Sequence, residues 1–126
     1  ILEEEQIVAR VHDRIAPYLA RAWGSLADHP LVGEAVSRGM MASLALTPDK
    51  AARARFTSDP GTVGLICREY SFGNNLVMRH VGDRMIIAPP LVISEADIDE
   101  LMTRARRTLD QTHAHLQREG MMAAAA

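Results

Sequence analysis

Lysine and cysteine each occur once in these 126 residues, neither sign of charge is in marked excess, and long apolar runs are missing. The lone Cys67 excludes an internal disulfide and suits a reducing compartment, so we expect a cytoplasmic protein. A formal charge of −2 gives no electrostatic reason for contact with nucleic acid or an anionic membrane surface, and we expect neither partner. No stretch approaches the roughly 20 apolar residues of a membrane span, and no charged-then-apolar leader precedes the first helix pattern. Metal-binding spacings such as CxxC or HxxxH are also absent: His113 and His115 lie two apart on a helix pattern, facing different ways, and His29 sits in a turn. We therefore expect no metal. The glycines form no phosphate-cradling loop ahead of a helix.

What is present is enough apolar content, 48% of residues, for one modest core. From Leu2 to Leu26 the positions Val8, Val11, Ile15, Leu19, Trp23 and Leu26 mark one face of a helix, with Glu3, Glu4 and Glu5 near its N-terminal end. Pro17 removes a backbone donor inside this pattern and predicts a kink or break near Asp13 to Ala16. Asp28-His29-Pro30 is a stop signal. Val32 to Leu46 has no helical period and reads as a short strand, an irregularity at Gly39 and a buried strand from Met40 to Leu46. Thr47 to Pro60, carrying Lys50, Arg53 and Arg55, reads as a surface connection.

Gly61 to Phe72 fits a helix that Gly73-Asn74-Asn75 ends, and Cys67 falls on its apolar run as a small core residue. A hairpin follows, with strands near Leu76 to Arg79 and Arg84 to Ala88 joined by His80-Val81-Gly82-Asp83. Gly82 supplies turn geometry and Asp83 caps the turn. Pro89-Pro90 lacks the amides a ladder needs and ends the pairing. Ser94 then caps a last helix, with Asp97 as its reciprocal partner and an apolar face of Ile98, Leu101, Met102, Ala105, Leu109 and Leu116. Met121 to Ala126 reads as a frayed tail, leaving residues 1–120 as one domain. The sum is an α+β domain, a small, mostly antiparallel sheet covered by helices.

Arg79 is the one candidate binding residue. At the mouth of the hairpin loop its planar guanidinium matches a carboxylate with two parallel hydrogen bonds; the alternative is a solvated arginine paired with Asp83. No second group is placed to make His80 a catalytic acid or base, so no catalytic residue is assigned.

Three blocks carry a resemblance to a family. The first is His29-Pro30-Leu31-Val32-Gly33-Glu34 followed by Gly39-Met40-Met41-Ala42, and the second is Val63-Gly64-Leu65-Ile66-Cys67. The third and most specific is the hairpin running through Pro89-Pro90-Leu91-Val92-Ile93 into Asp97-Ile98-Asp99-Glu100-Leu101. In order and spacing they resemble the C-terminal region of the class III, pyridoxal-phosphate-dependent aminotransferases, the omega-transaminase branch in particular. That resemblance implies the C-terminal small domain of a fold-type-I enzyme, working as a homodimer. With pyridoxal phosphate, such an enzyme moves an amino group from an amine or amino acid to a keto acid such as pyruvate. It implies that Arg79 grips the substrate carboxylate, and that the Schiff-base lysine and the other cofactor contacts belong to a large domain. Lys50, in the turn Pro48-Asp49-Lys50, has nothing of the family's lysine motif around it, so we expect no cofactor-binding residue and no catalysis from this segment alone. The opening at Ile1, directly inside a helix pattern, fits one piece of an enzyme. Two positions depart from the family pattern: Ala35-Val36-Ser37-Arg38 displaces an arginine, and Ala45 stands where a glutamate is usual. A non-catalytic α+β module that binds a small molecule or a partner is the alternative.

Overall fold

The computed structural model describes residues 6–123; the expected helix start at Leu2, the glutamates Glu3 to Glu5 and the last three residues of the expected tail lie outside the described residues. The first helical segment runs as α1 (Ile7–Arg10), a π-turn (Val11–Ile15), α2 (Ala16–Gly24) and a closing 3-10 turn (Ser25–Asp28). The expected kink is thus a π-turn, placed just before Pro17 removes the amide that would bond back toward Asp13. It also shifts the helix phase. Two regular turns back from Ile15 would bring Val8 to the core, but the extra residue brings Ile7 instead. Ile7 is buried and Val8 is 65% exposed, which corrects the expected face at that position.

Beyond the stop at Asp28, β1 (Val32–Arg38) and β2 (Met41–Leu46) pair antiparallel, and Gly39 at φ +59° makes the reversal between them. Helix α3 (Thr62–Gly73) is capped by Asn74, and the chain leaves it through Asn75 in the left-handed region, φ +57°. Strands β3 (Arg79–Val81) and β4 (Arg84–Ile87) form the second hairpin, and α4 (Glu95–Arg118) closes the fold. The sheet is fully antiparallel in the order β1-β2-β4-β3. Strand β4 stops at Ile87, ahead of Pro89-Pro90, as the missing amides require. At the start of α4 the Ser94 amide donates to Asp97 Oδ2 (3.2 Å) while the Asp97 amide donates to Ser94 Oγ (3.1 Å), the reciprocal cap read from the sequence. These bonds hold the Asp97 carboxyl below its ordinary range.

The core lies between one face of the sheet and the helices. Leu19, Trp23 and Leu26 of the first helical segment, Leu44 and Met85 of the central strands, and Ile98, Leu109 and Leu116 of α4 are fully buried. At about 1.5–3 kcal/mol for each large apolar side chain, this cluster outweighs the exposed ion pairs around it. The Trp23 indole donates to the Ser43 carbonyl (3.0 Å), tying α2 to β2. Helix α4 is held along its length by polar contacts: Arg14 to Glu95, Tyr18 to Asp99, Arg106 to Asp28, and buried His29 to Asp110. The Leu31 amide donates to His29 Nδ1 (3.1 Å), so the ring carries its proton on Nε2, toward Asp110 Oδ1 at 2.8 Å. Met121 and Met122 pack against this core, and the Met121 amide donates to the Leu116 carbonyl (2.8 Å).

The joint that sets the second hairpin is at the start of α3. Gly61 is its N-cap and offers no side chain, yet Asp83 on the hairpin turn reaches over: its Oδ1 accepts from the amides of Gly61 (3.2 Å) and Gly64 (3.0 Å). Asp83 therefore caps a helix, a correction to the expectation that it caps its own turn. The helix comes so close to the turn that a Cβ at Gly64 would sit 2.3 Å from the Gly82 carbonyl oxygen.

Two outcomes follow. Gly64→Ala forces the hairpin off the helix and is expected to cost about 2–4 kcal/mol by urea denaturation. Gly73→Ala, with nothing within 4 Å of its added carbon, should be neutral to mildly stabilising. Equal costs at the two glycines would refute the close-contact account. The second outcome concerns pH. Burial, and then the neighbouring His29, push the His113 pKa below its ordinary 6.5, opposed by Asp110. The unfolded chain then takes up a proton at higher pH than the folded one, so this contribution is complete above 6.5 and is lost as pH falls through the folded value. Urea midpoints measured downward from neutral pH should fall, and His113→Gln should flatten the slope just below 6.5. An unchanged slope in that variant would rule the group out.

Candidate substrate-facing site

One face of the sheet is buried against the helices; the other is open. On the open face, in register across the strands, Arg79 opposes Ile86, Ile86 opposes Ser43, and Ser43 opposes Val36. The next row runs Val81, Arg84, Ala45, Glu34. Apolar side chains stand exposed on it: Val36, Met41, Val77 and Val81.

Arg79 begins β3, at the end of the ladder away from the Gly82-Asp83 turn. Sequence reading placed it at the mouth of a four-residue loop. The strand instead takes in His80 and Val81, leaving a two-residue turn, and Arg79 stands near the Pro89-Pro90 corner. There it lines a concavity of about 530 Å³ with Met41, Val77, Ile86, Pro89 and Leu101. Its side chain is exposed, and among the described residues no carboxylate pairs with it. The pairing with Asp83 that a solvated-arginine reading calls for is not made, because Asp83 is committed to α3. A guanidinium without a partner, set among apolar walls, is chemically suited to receive a carboxylate.

The neighbouring Arg84 is different. Its Nη1 donates to Ser43 Oγ (2.6 Å) and its Nη2 to Glu34 Oε1 (3.1 Å), spanning the small Ala45 between them. This tethered arginine was not read from the sequence, and no local spacing joins Glu34 to Arg84. His80, expected at a loop tip, lies in β3 and faces α3, where its Nδ1 is buried without a hydrogen-bond partner. Lys50 is far from this chemistry: its ammonium donates to the carbonyls of Ala27 and His29, closing the end of the 3-10 turn. Outside the open face, the wall of the Arg79 concavity is held by Arg10, whose guanidinium donates to the carbonyls of Leu91 (3.3 Å) and Ile93 (2.7 Å).

The chain is similar to known proteins over nearly its whole length. It is 58% identical to a putrescine–pyruvate aminotransferase of Pseudomonas aeruginosa, covering 90% of this chain and 25% of that protein. It is 34% identical to a diaminobutyrate–2-oxoglutarate transaminase of Halomonas elongata, covering 99% of this chain and 27% of that one. Among solved structures, a transaminase with L-alanine superimposes with a TM-score of 0.84 at 31% identity, over 92% of this chain and 27% of that one. The chain belongs to the class III aminotransferases. An omega-transaminase of Pseudomonas jessenii in complex with PMP superimposes with a TM-score of 0.83 at 28% identity, over 92% of this chain and 25% of that one. No family model matches the chain. It spans about a quarter of the length of the curated relatives it matches. The fold is that of the C-terminal domain of a fold-type-I pyridoxal-phosphate enzyme. No helix among the described residues is long and apolar enough to cross a membrane.

Cys67 takes no part in the open face. It is fully buried on α3, and desolvation pushes its thiol up to about 11. It is expected to resist a thiol-specific disulfide reagent in the folded chain and to react in step with urea unfolding. Rapid labelling of the folded chain would contradict its burial.

Proposed function

We propose that residues 1–120 act as the C-terminal small domain of a pyridoxal-phosphate-dependent transaminase, with Arg79 as the receiver of the substrate carboxylate. The parent enzyme moves an amino group from an amine or amino acid to a keto acid such as pyruvate, as a homodimer in the cytoplasm. The observation that carries this reading is the Arg79 guanidinium, unpaired among the described residues and flanked by apolar side chains on the open sheet face. Similarity to aminotransferases across about nine tenths of the chain supports it.

The residues present do not fit pyridoxal phosphate as its covalent holders. The one lysine is spent on two backbone carbonyls at the close of a helical turn, and it does not line the concavity that holds Arg79. The cofactor's lysine therefore comes from another part of the polypeptide, and this segment alone does not transaminate. What the segment contributes is position. The α3–hairpin joint sets where β3 lies, β3 carries Arg79 outward, and Pro89 and Ile93 wall the space beside it. A substrate carboxylate entering that space gains a two-pronged, charge-assisted contact with the Arg79 guanidinium.

In the full-length enzyme, Arg79→Ala is expected to weaken use of a keto acid far more than use of an amine that lacks a carboxylate. A charge-assisted contact of roughly 1.5–3 kcal/mol corresponds to a loss on the order of 10- to 100-fold in apparent affinity. Arg79→Lys should restore only part of it, since an ammonium keeps the charge and lacks the fork. Specificity constants for one substrate of each kind measure this. Equal losses for both would end the carboxylate assignment.

A further inference from the structure

A second concavity opens on the same face, at the turn end of the hairpin. It has a volume of about 710 Å³ and shares only Val81 with the one that holds Arg79. Its lining joins small residues, Gly33, Ala45 and Thr47, to charged ones. Four cations line it (Lys50, Arg53, Arg55 and Arg84) against two carboxylates, Glu34 and Asp83. The hydrogen bonds of these groups show which charges are already spent. Glu34 is paired with Arg84, Asp83 accepts from the two amides at the start of α3, and the Lys50 ammonium is held by the carbonyls of Ala27 and His29. Arg53 and Arg55 remain, both exposed, and among the described residues neither has an ion-pair partner.

These two arginines sit on an ordered loop. Thr47, itself buried, places its Oγ1 2.8 Å from the Ala54 carbonyl and 3.1 Å from the Asp49 carbonyl, with one hydroxyl proton to donate between them, and accepts from the Asp49 amide (3.2 Å). The Asp49 carboxylate accepts from the Ala52 amide (3.2 Å), and the Asp49 carbonyl accepts from the Ala54 amide (3.1 Å). Phe56 packs against the core immediately after Arg55. The loop thus presents two guanidiniums from a braced backbone, beside a lining where the side chain at position 45 ends at Cβ and leaves room.

We infer that this concavity binds a phosphate group, free or on a small phosphomonoester, through Arg53 and Arg55. Two unspent guanidiniums match the two charges of phosphate near neutral pH, and the planar forks suit its oxygens. A monocarboxylate would leave one cation unanswered.

The test is calorimetric titration of the chain with sodium phosphate and, separately, methyl phosphate, both at low and fixed ionic strength. Saturable binding is expected. The R53Q/R55Q double variant should weaken it by on the order of 10-fold or more. A45E should do the same, by placing a carboxylate in the lining beside Arg84. The R38Q/R107Q double variant removes the same charge elsewhere and should leave binding within about twofold. Far-ultraviolet circular dichroism verifies that each variant is folded. R53Q/R55Q alters only exposed side chains, so it decides the matter if A45E fails to fold. Binding of both ligands, or of inorganic phosphate alone, supports the site, and the second result assigns it to the free ion. No saturable binding, equal weakening in both double variants, or loss only on R79Q would overturn it.

Discussion

The carboxylate of Asp83, resting on two amides at the start of α3, is the contact through which the second hairpin takes its place. Strand β3 has only three residues and, among the described residues, pairs with β4 alone, and a short edge ladder of that kind is too weak to fix its own position. The helix end supplies partial positive charge and amides without partners; the turn supplies the acid. Contact this close is possible because position 64 has no side chain. The Leu46 amide, donating to the Asp83 carbonyl (3.1 Å), ties the same residue to the end of β2. One residue therefore joins the turn, the helix and the central strand.

From that joint the division of labour on the sheet follows. Alternation sends Leu44, Met85 and Ile87 into the core and Ser43, Arg84 and Ile86 to the open side. The open side then sorts its arginines by what surrounds them. Arg84 stands over the small Ala45 and across from Glu34, so its charge is answered within the fold. Arg79 stands among Met41, Val77 and Pro89, where no acidic side chain among the described residues pairs with it. Two arginines of one hairpin thus stand in different surroundings: Arg84 is answered by Glu34 two strands away, and Arg79 has no ion-pair partner among the described residues.

Where the sequence could be read, the determining contacts were local. Ser94 and Asp97 are three apart and cap each other; Pro89-Pro90 ends a strand by its own chemistry; Gly39 and Asn75 stand where the chain turns left-handed. Arg79 was singled out by its motif, and the structure puts it in a concavity, though at the other end of its strand from the turn. The features that escaped depend on partners distant in the chain. Asp83 caps amides 19 and 22 residues earlier, and His29 meets Asp110 across 81 residues. Neither spacing has a periodic signature. The strand boundary was missed for a related reason: Leu76 and Met78 alternate with exposed Val77 as strand residues do, but no neighbouring strand extends far enough to pair with them. Ile7 replaced Val8 on the core face because a π-turn changes the helical phase, and periodicity assumes a constant one.

Trp23 gives the fold a built-in optical reporter. It is the single tryptophan of the chain, it has no exposed surface, and its indole proton is held by the Ser43 carbonyl of the central strand. Emission from this protein therefore arises at one defined junction, where α2 lies on the sheet. Water reaching that junction shifts the spectrum to longer wavelength, while events confined to the open face on the far side of β2 leave it almost unchanged. Loss of helix–sheet docking and rearrangement of the open face are thereby separable by colour alone.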